Sequence, residues 1–204
     1  MKSWRLLDEE LYADTKHNCM VSASGIILEN SATEINGRKG IYVGHLLNIW
    51  WHCITDNLKK LWFLLSDLCK SLLSERYELY CTIHKGTSLI PNFCRLLEYL
   101  NLDASQFKII SEDTLFAVLV IPHNSLSDNH QCYREYKELI DEIWSKIPVS
   151  NTPNLKVYYS RSRFSNRRDF GEKYIENVFR GLGYSIIYPE LLSLEEQLFI
   201  IAVR

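Results

Sequence analysis

The sequence predicts an α/β fold: a Rossmann-like domain with a largely parallel sheet, followed by the first half of a second Rossmann-like domain. Short apolar runs typical of strands alternate with longer runs that repeat apolar residues every three or four positions, as helices with one buried face do. The polar segment Pro148–Asn154 holds two prolines and is the best candidate for a linker between the two parts. At 204 residues, 47% of them hydrophobic, the chain is long enough to bury a core.

Four segments are predicted along the chain. Residues 1–36 form an irregular lead-in with one short strand, and residues 37–147 form the first α/β domain. Residues 148–154 are the linker. Residues 155–204 begin a second α/β domain that is incomplete, because they supply only two strands and two helices.

Turn signals and periodicity define the elements of the first domain. The dipeptide Asn36-Gly37, typical of hairpin turns, lies between a short strand at Gly25–Glu29 and a returning strand at Ile41–Gly44. A single helix is predicted at about Trp51–Leu73, with these buried positions: Ile54, Leu58, Leu61, Leu65 and Leu68. The remaining predicted elements are a strand at Tyr77–His84, a helix opened by Pro91, strands at Phe107–Ile110 and Phe116–Ile121, and a helix at Tyr133–Ile147.

The second domain shows a β-α-β-α order with clear helix-end signals. Its predicted elements are a strand at Leu155–Ser160, a helix at Asp169–Leu182, a strand at Tyr184–Tyr188 and a helix at Ser193–Val203. Gly183 stands where a left-handed glycine commonly ends a helix. Two capping boxes are predicted, Ser193 with Glu196 and Asp169 with Glu172.

The last helix is still apolar where the chain stops, at Leu198, Ile201 and Ala202. A doubly wound domain needs further strands to cover such a face. We therefore expect a C-terminally truncated chain with an exposed apolar patch on its second domain and little or no activity alone.

Composition limits the possible classes of function. A net charge of −2 gives no reason to expect nucleic-acid binding. The six cysteines form no C-x-x-C pair and predict reduced, mostly buried thiols: Cys19, Cys53, Cys69, Cys81, Cys94 and Cys132. The N-terminus lacks the apolar run of a signal peptide, and no stretch reaches the ~18 apolar residues of a membrane span. We therefore expect a cytoplasmic protein.

A histidine and an aspartate lie in the most apolar long stretch, residues 41–65. His52 and Asp56 are four residues apart and share one face of a helix. A carboxylate beside an imidazole fixes its tautomer and raises its basicity, as a general base requires. The alternative is a half-buried pair that only orders the helix, and spacing alone favours it.

Arginines cluster between a predicted strand and the following helix, at positions 161, 163, 167 and 168. This is the usual place for phosphate binding in α/β folds, and the planar guanidinium of arginine can hold a phosphate through two hydrogen bonds. The alternative is a solvated basic loop. Two acids nearby are further candidates: Glu172, which could instead cap its helix, and Glu190, which could instead be an acid of a helix-entry loop.

Several catalytic motifs do not occur in the sequence. It contains no D-x-D triplet, which many metal-dependent sugar-transfer enzymes use to hold a divalent ion. Phosphate-loop, dinucleotide-binding and H-E-x-x-H motifs are also absent, so NTPase, dinucleotide oxidoreductase and metalloprotease activities lack support.

Two stretches resemble glycosyltransferase family 61, many members of which take part in capsular polysaccharide biosynthesis. The first is GHLLNIWWHCITDNLKKLW at residues 44–62, where a strand ending in glycine precedes a histidine, an acid and a Leu-x-x-Leu-Trp helix. The second is VYYSRSRFSNRRDFGEKYIENVFRGLGYSIIYPELLSLEEQ at residues 157–197. The resemblance covers roughly residues 37–204.

The resemblance implies a metal-independent transferase of the two-domain GT-B architecture, with no cofactor. It would transfer a sugar from a nucleotide-sugar donor to a hydroxyl of a glycan or glycoconjugate, in association with membrane-bound polysaccharide machinery. Arg161 and Arg168 are the implied donor contacts. His52, oriented by Asp56, is the candidate base on the acceptor side, a role that the resemblance itself does not establish. The alternative is a non-catalytic or degenerate α/β module that binds a glycan or a partner chain.

Overall fold

The chain forms two compact units, Met1–Ile143 (unit 1) and Trp144–Arg204 (unit 2). A computed structural model describes residues 5–7, 11–30, 37–47, 56–126, 131–147, 156–163 and 171–202. The predicted linker at 148–154 lies outside these residues. Within them, no helix is both long enough and apolar enough to cross a membrane.

Unit 1 is built on a six-stranded sheet with the order β3-β2-β7-β4-β5-β6. The strands of unit 1 are β1 Arg5–Leu7, β2 Ala13–Val21, β3 Ile27–Glu29, β4 Arg38–Leu46, β5 Glu78–Ile83, β6 Phe107–Ile109, β7 Thr114–Pro122 and β8 Gln131–Tyr133. Strands β7, β4, β5 and β6 are parallel, β2 runs antiparallel to β7 and β3, and β1 pairs with β8 in a separate ribbon. The predicted mixed α/β class with a mostly parallel sheet is confirmed.

The helices of unit 1 include three α-helices, α1 Asp67–Ser74, α2 Pro91–Tyr99 and α3 Arg134–Ser145, and two 3-10 helices, Leu58–Leu65 and Ala104–Gln106. The last two residues of α3 belong to unit 2. Pro91 begins α2, where its fixed φ suits the first helical position. Phe93, Leu96 and Leu97 are buried on one face of that helix. The sequence predicted this helix and its first residue.

The predicted irregular lead-in is wrong, because residues 13–21 form the nine-residue strand β2. This segment, ADTKHNCMV, is mostly polar and shows no apolar alternation. It is extended because β7 pairs with it along its length, from Ala13 opposite Pro122 to Val21 opposite Thr114. Only Cys19 and Val21 of this strand are fully buried.

The predicted hairpin between the Gly25–Glu29 and Ile41–Gly44 strands is also wrong. Strand β3 pairs with β2 through a tight turn in which Gly25 has a φ of +85°. The hydroxyl of Ser22 accepts a hydrogen bond from the N–H of Ile26 at 3.0 Å and stabilises that turn. Strand β4 lies instead between β7 and β5. The turn signal at residue 36 lies outside the described residues.

The long helix predicted at 51–73 is interrupted in its described part. A 3-10 helix ends at Leu65, and Ser66 then caps α1 by accepting a hydrogen bond from the N–H of Cys69 at 3.2 Å. The break rotates the apolar stripe, so Leu68 is 57% exposed and Leu65 lies at the surface, contrary to prediction. Leu58 and Leu61 are buried as predicted, and residue 54 is outside the described residues.

Unit 2 has the predicted β-α-β-α order. Its elements are β9 Val157–Tyr159, α4 Glu172–Gly181, β10 Ser185–Ile187, a 3-10 helix Pro189–Leu191 and α5 Leu194–Ala202, and β9 is parallel to β10. Gly183, with a φ of +81°, ends α4 as predicted. Ser193 and Glu196 form the predicted capping box, with bonds of 2.8 and 3.2 Å.

Two predictions for unit 2 need correction. Helix α4 begins at Glu172 itself, after Gly171, so Glu172 is not the third residue of a capping box; Asp169 is outside the described residues. Leu198 is buried, although the last helix was expected to expose it. The exposed apolar face lies on and just after α4, at these residues: Tyr174, Ile175, Val178 and Leu182.

Candidate functional site

The clearest candidate for a binding site in unit 2 is the segment Ser160–Arg163 after β9, called the basic turn below. The N–H of Ser160 donates to the carbonyl oxygen of Ile187 at 2.8 Å, so the turn starts at the carboxyl ends of both parallel strands. Ser160 is fully buried, whereas Arg161 and Arg163 are exposed. Crevices at such carboxyl ends are the usual ligand sites of α/β folds.

Glu172 faces the basic turn from the first position of α4. Its Oε1 accepts hydrogen bonds from the hydroxyl of Tyr158 at 2.9 Å and from the backbone N–H of Arg161 at 3.2 Å. The hydroxyl of Ser160 lies 3.4 Å from the same oxygen. Glu172 therefore holds the backbone of the turn, which replaces the capping role considered from sequence.

Glu176, one helical turn later, lies beneath the basic turn and is only 6% exposed. Its Oε1 accepts from the hydroxyls of Ser160 at 2.6 Å and Ser162 at 2.5 Å. Its Oε2 accepts from the hydroxyl of Tyr188 at 3.2 Å and lies 3.8 Å from the guanidinium of Arg180. The two serine hydrogen bonds are the main cause of a lowered pKa at Glu176, and burial opposes them without cancelling them. The sequence analysis did not select this residue.

The backbone N–H groups of Ser160, Arg161 and Ser162 are already used within the protein. The N–H of Arg161 donates to Glu172, and that of Ser162 donates to the hydroxyl of Ser160 at 3.1 Å. An anion at this turn would therefore be met by guanidinium side chains and not by a row of backbone N–H groups.

The two described arginines of the turn differ in their surroundings. The guanidinium carbon of Arg163 lies 4.4 Å from the ring centroid of Tyr188, a cation–π contact that holds its side chain against the segment after β10. Arg161 is exposed, and its backbone N–H donates to Glu172 of α4. The other two candidates, Arg167 and Arg168, lie outside the described residues, so the donor-binding role of Arg168 stays a prediction.

Glu190 lies in the 3-10 helix that follows β10, at the same strand edge as Arg161. Its side chain is exposed. Among the described residues its carboxylate has no hydrogen bond or ion pair, so its role also stays a prediction.

The acidic member of the His52–Asp56 pair lies in unit 1, beside the start of the 3-10 helix Leu58–Leu65. The Oδ1 of Asp56 is 3.2 Å from the Nζ of Lys59. Burial raises the pKa of Tyr136 on α3, and the nearby charges of Cys132 and Asp56 raise it further. His52 lies outside the described residues, so its pairing with Asp56 stays a prediction.

The segment after β7 is tied to that 3-10 helix. The N–H and hydroxyl of Ser125 both donate to the carbonyl oxygen of Lys59, at 2.7 and 2.8 Å. The indole N–H of Trp62 donates to the carbonyl oxygen of His123 at 2.9 Å. These bonds hold His123 at the carboxyl end of β7.

His123 is part of a second histidine–aspartate pair, which the sequence analysis missed. Its Nε2 lies 3.1 Å from the Oδ2 of Asp14 on β2, and its ring lies against Tyr12 with centroids 3.8 Å apart. The pair joins residues 109 positions apart. Only knowledge that β2 and β7 are neighbours could have found it.

A bulge in β4 places another histidine, His45, beside two hydroxyl groups. Between Tyr42 and His45 the register shifts against β5, and Gly44 takes a φ of +104°. The extra residue turns His45 toward Thr82, whose hydroxyl lies 3.1 Å from its Nδ1 and 2.8 Å from the hydroxyl of Tyr42. Burial lowers the pKa of His45, and the nearby imidazole of His84 lowers it further. Neither histidine is among the candidates named from the sequence.

A cleft of about 260 Å³ lies at the opposite, amino-terminal edge of the sheet in unit 1, lined in part by Arg38 and Lys108. Glu78 accepts hydrogen bonds there from Lys108 and from the hydroxyl of Tyr80. Glu78 and Lys108 therefore neutralise each other's charge within the cleft. The cleft lies beside the first residues of β4, β5 and β7, whereas α/β folds usually bind ligands at the carboxyl ends of their strands, so it is not the candidate site.

Arginines at the carboxyl ends of parallel strands are a common feature of α/β proteins that bind phosphorylated ligands. The family model of glycosyltransferase 61 matches residues 50–202, which include the basic turn. The chain therefore belongs to glycosyltransferase family 61, and the resemblance noted in the sequence is confirmed. Membership implies a sugar donor and an acceptor in general terms. No curated protein and no solved structure matches this chain.

Proposed function

We propose that this protein transfers a sugar from a nucleotide-sugar to a hydroxyl of a glycan or glycoconjugate, as in polysaccharide biosynthesis. The observation that supports the proposal most is the basic turn of unit 2, held by two carboxylates at the carboxyl ends of β9 and β10. We further propose that, as in GT-B enzymes, unit 1 binds the acceptor and unit 2 binds the donor.

On the donor side, negative charge develops on the diphosphate as it leaves the anomeric carbon. Arg161 and Arg168 would neutralise that charge, because a guanidinium can bind two phosphate oxygens at once. Glu172 supports this role by holding the backbone N–H of Arg161 at 3.2 Å. Glu190, at the same edge, is the fourth proposed donor-side residue.

On the acceptor side, the attacking hydroxyl must lose a proton. His52 would accept it while the acceptor oxygen bonds to the anomeric carbon and the bond from that carbon to the diphosphate breaks. Asp56 would orient the imidazole by accepting a hydrogen bond from its other nitrogen.

We propose that transfer needs no metal ion, as the resemblance to family 61 implies, and the lack of a D-x-D triplet agrees with this. We also propose a cytoplasmic location, in contact with membrane-bound polysaccharide machinery. Transfer that continues in the presence of a chelator would support the first point, and cell fractionation tests the second.

The test is release of nucleoside diphosphate from a panel of nucleotide-sugars, with glycan acceptors present. We expect His52→Ala to lower turnover about 10²- to 10⁴-fold, since a general base contributes that much, and to leave donor affinity nearly unchanged. Asp56→Asn should lower turnover in the same direction while the protein stays folded.

Two other results would replace parts of this proposal. Tight binding of a nucleoside diphosphate without any turnover would make the chain a non-catalytic binding module. Variants that melt many degrees lower but keep normal turnover per folded molecule would make His52 and Asp56 a structural pair.

A further inference from the structure

The hydroxyl of Ser160 has one hydrogen and two carboxylates within reach. It lies 2.6 Å from Glu176 and 3.4 Å from Glu172, so it donates to Glu176. Its oxygen then accepts the backbone N–H of Ser162 at 3.1 Å. Ser160 thereby links the carboxylate of Glu176 to the backbone of the basic turn.

The residues on both sides of Arg161 are bound to one oxygen atom. Ser160 and Ser162 each donate a hydroxyl hydrogen bond to the Oε1 of Glu176. Arg161, between them, donates its backbone N–H to Glu172. Three consecutive residues are therefore fixed from beneath by two carboxylates of α4, while the side chain of Arg161 lies on the exposed side.

The second oxygen of Glu176 reaches the other strand of the unit. It accepts from the hydroxyl of Tyr188, whose ring lies under the guanidinium of Arg163. One buried carboxylate thus joins the segments that follow β9 and β10. Among the described residues, its four contacts are the hydroxyls of Ser160, Ser162 and Tyr188 and the guanidinium of Arg180.

We propose that Glu176 is a positioning residue for donor binding: it makes no contact with the donor and fixes the basic turn so that Arg161 meets the diphosphate. This inference rests on the proposed function. An ionised carboxylate suits the role because it accepts from several hydroxyls at both oxygens. A glutamine of the same size has one acceptor oxygen and presents an NH₂ group at the other position.

The first test measures the turn without any ligand. In the full chain, amide hydrogen exchange of Arg161 and Ser162 should be about tenfold faster in Glu176→Gln, because the turn opens more often when its acceptor is lost. The matched control is Glu196→Gln, since Glu196 is an exposed acid of the same unit that caps α5 at 2.8 Å. Its exchange at residues 161 and 162 should equal that of the wild-type chain.

The second test measures affinity by calorimetry with uridine, guanosine and thymidine diphosphate, using the one that binds the wild-type chain most tightly. We expect Glu176→Gln to weaken its binding about tenfold, and Glu196→Gln to leave it unchanged. Glu176→Asp keeps the charge and should recover part of the loss. Should Glu176→Gln fail to fold, Ser162→Ala removes a single hydrogen bond and should weaken binding about threefold.

The possible outcomes separate this inference from the function on which it rests. Unchanged exchange at 161 and 162 in Glu176→Gln overturns the positioning role, and so does faster exchange with unchanged affinity. For the Ser162→Ala substitute, unchanged affinity has the same meaning. A wild-type chain that binds none of the three diphosphates overturns the proposed donor chemistry and, with it, the positioning role.

Discussion

The two units of this protein are stabilised by different kinds of buried side chain. Unit 1 buries an extended set of apolar side chains around its sheet, among them Val21, Ile41, Phe63, Phe116 and Leu119. The described part of unit 1 also buries four polar side chains, but they are few beside its apolar ones. Among the described residues of unit 2, the three buried apolar side chains, Ile147, Leu194 and Leu198, are matched by three polar ones, Ser160, Glu176 and Gln197. The larger unit relies on apolar burial, and the smaller one relies much more on hydrogen bonds between buried polar groups.

The difference shows how a small unit can hold a binding turn in place. Two short strands cannot enclose a large apolar core, so burial alone would fix them weakly. A buried carboxylate is costly unless its oxygens are hydrogen-bonded, and those of Glu176 are. Such bonds are directional, so they determine where the basic turn lies as well as whether it folds.

The largest expected effect is in the apolar interior of unit 1. Phe116 is fully buried, and its ring packs edge-on against Tyr80 with centroids 4.8 Å apart. Phe116→Ala should cost about 3–5 kcal/mol in the free energy of unfolding, because it removes apolar burial and leaves a cavity. Denaturant unfolding of unit 1 measures this. A loss under about 1 kcal/mol would show that the interior of unit 1 is loosely packed.

A smaller effect, and one that depends on pH, is expected in unit 2. Glu176→Gln should lower the free energy of unfolding by about 2–3 kcal/mol at pH 7, because buried hydroxyl donors lose a charged acceptor. The folded-state pKa of Glu176 lies below its ordinary value of 4.5. Its contribution is therefore complete above pH 4.5 and is lost as the pH falls through the lowered value.

The measurement for Glu176 is the difference in unfolding free energy between the wild type and the glutamine variant, from pH 7 down to pH 3. The variant removes other acid effects from the comparison, because both chains share them. A difference that stays constant over this range would mean that the charge of Glu176 contributes no stability.

The smallest effects concern two glycines at the end of α4. A Cβ would meet nothing within 4 Å at either Gly181 or Gly183, so only backbone conformation separates them. Gly183 has a φ of +81°, and Gly183→Ala should cost about 1 kcal/mol. Gly181→Ala, inside the helix, should stabilise by about 0.5–1 kcal/mol. Thermal unfolding of both variants checks this, and shifts of the same sign would contradict it.

Local signals in the sequence predicted the elements that depend on local chemistry. Pro91 at the start of α2, the Ser193–Glu196 capping box and Gly183 at the end of α4 each act within a few residues, and each is present in the structure. Elements that depend on a distant partner were missed. Strand β2 is extended because β7 lies beside it, and no local pattern indicates this.

The same distinction applies to the candidate site. The arginines and Glu172 were found because they cluster between a strand and a helix. The alternative considered for Glu172 was a local helix cap, but its carboxylate accepts hydrogen bonds from Tyr158 and Arg161. Glu176 looks like an ordinary helical acid in the sequence. Its importance follows from serines 14 and 16 residues away, which only the packing of α4 against the turn reveals.

The most direct test of the account is calorimetric binding of a nucleoside diphosphate to the wild-type chain, Arg161→Lys and Arg161→Ala. Losing a two-point, charge-assisted contact should cost Arg161→Ala about 1.5–3 kcal/mol, or about 10- to 150-fold in affinity. Lysine should recover only part of this, because it keeps the charge and lacks the planar fork. Unchanged affinity in the alanine variant would place the diphosphate elsewhere and contradict the account.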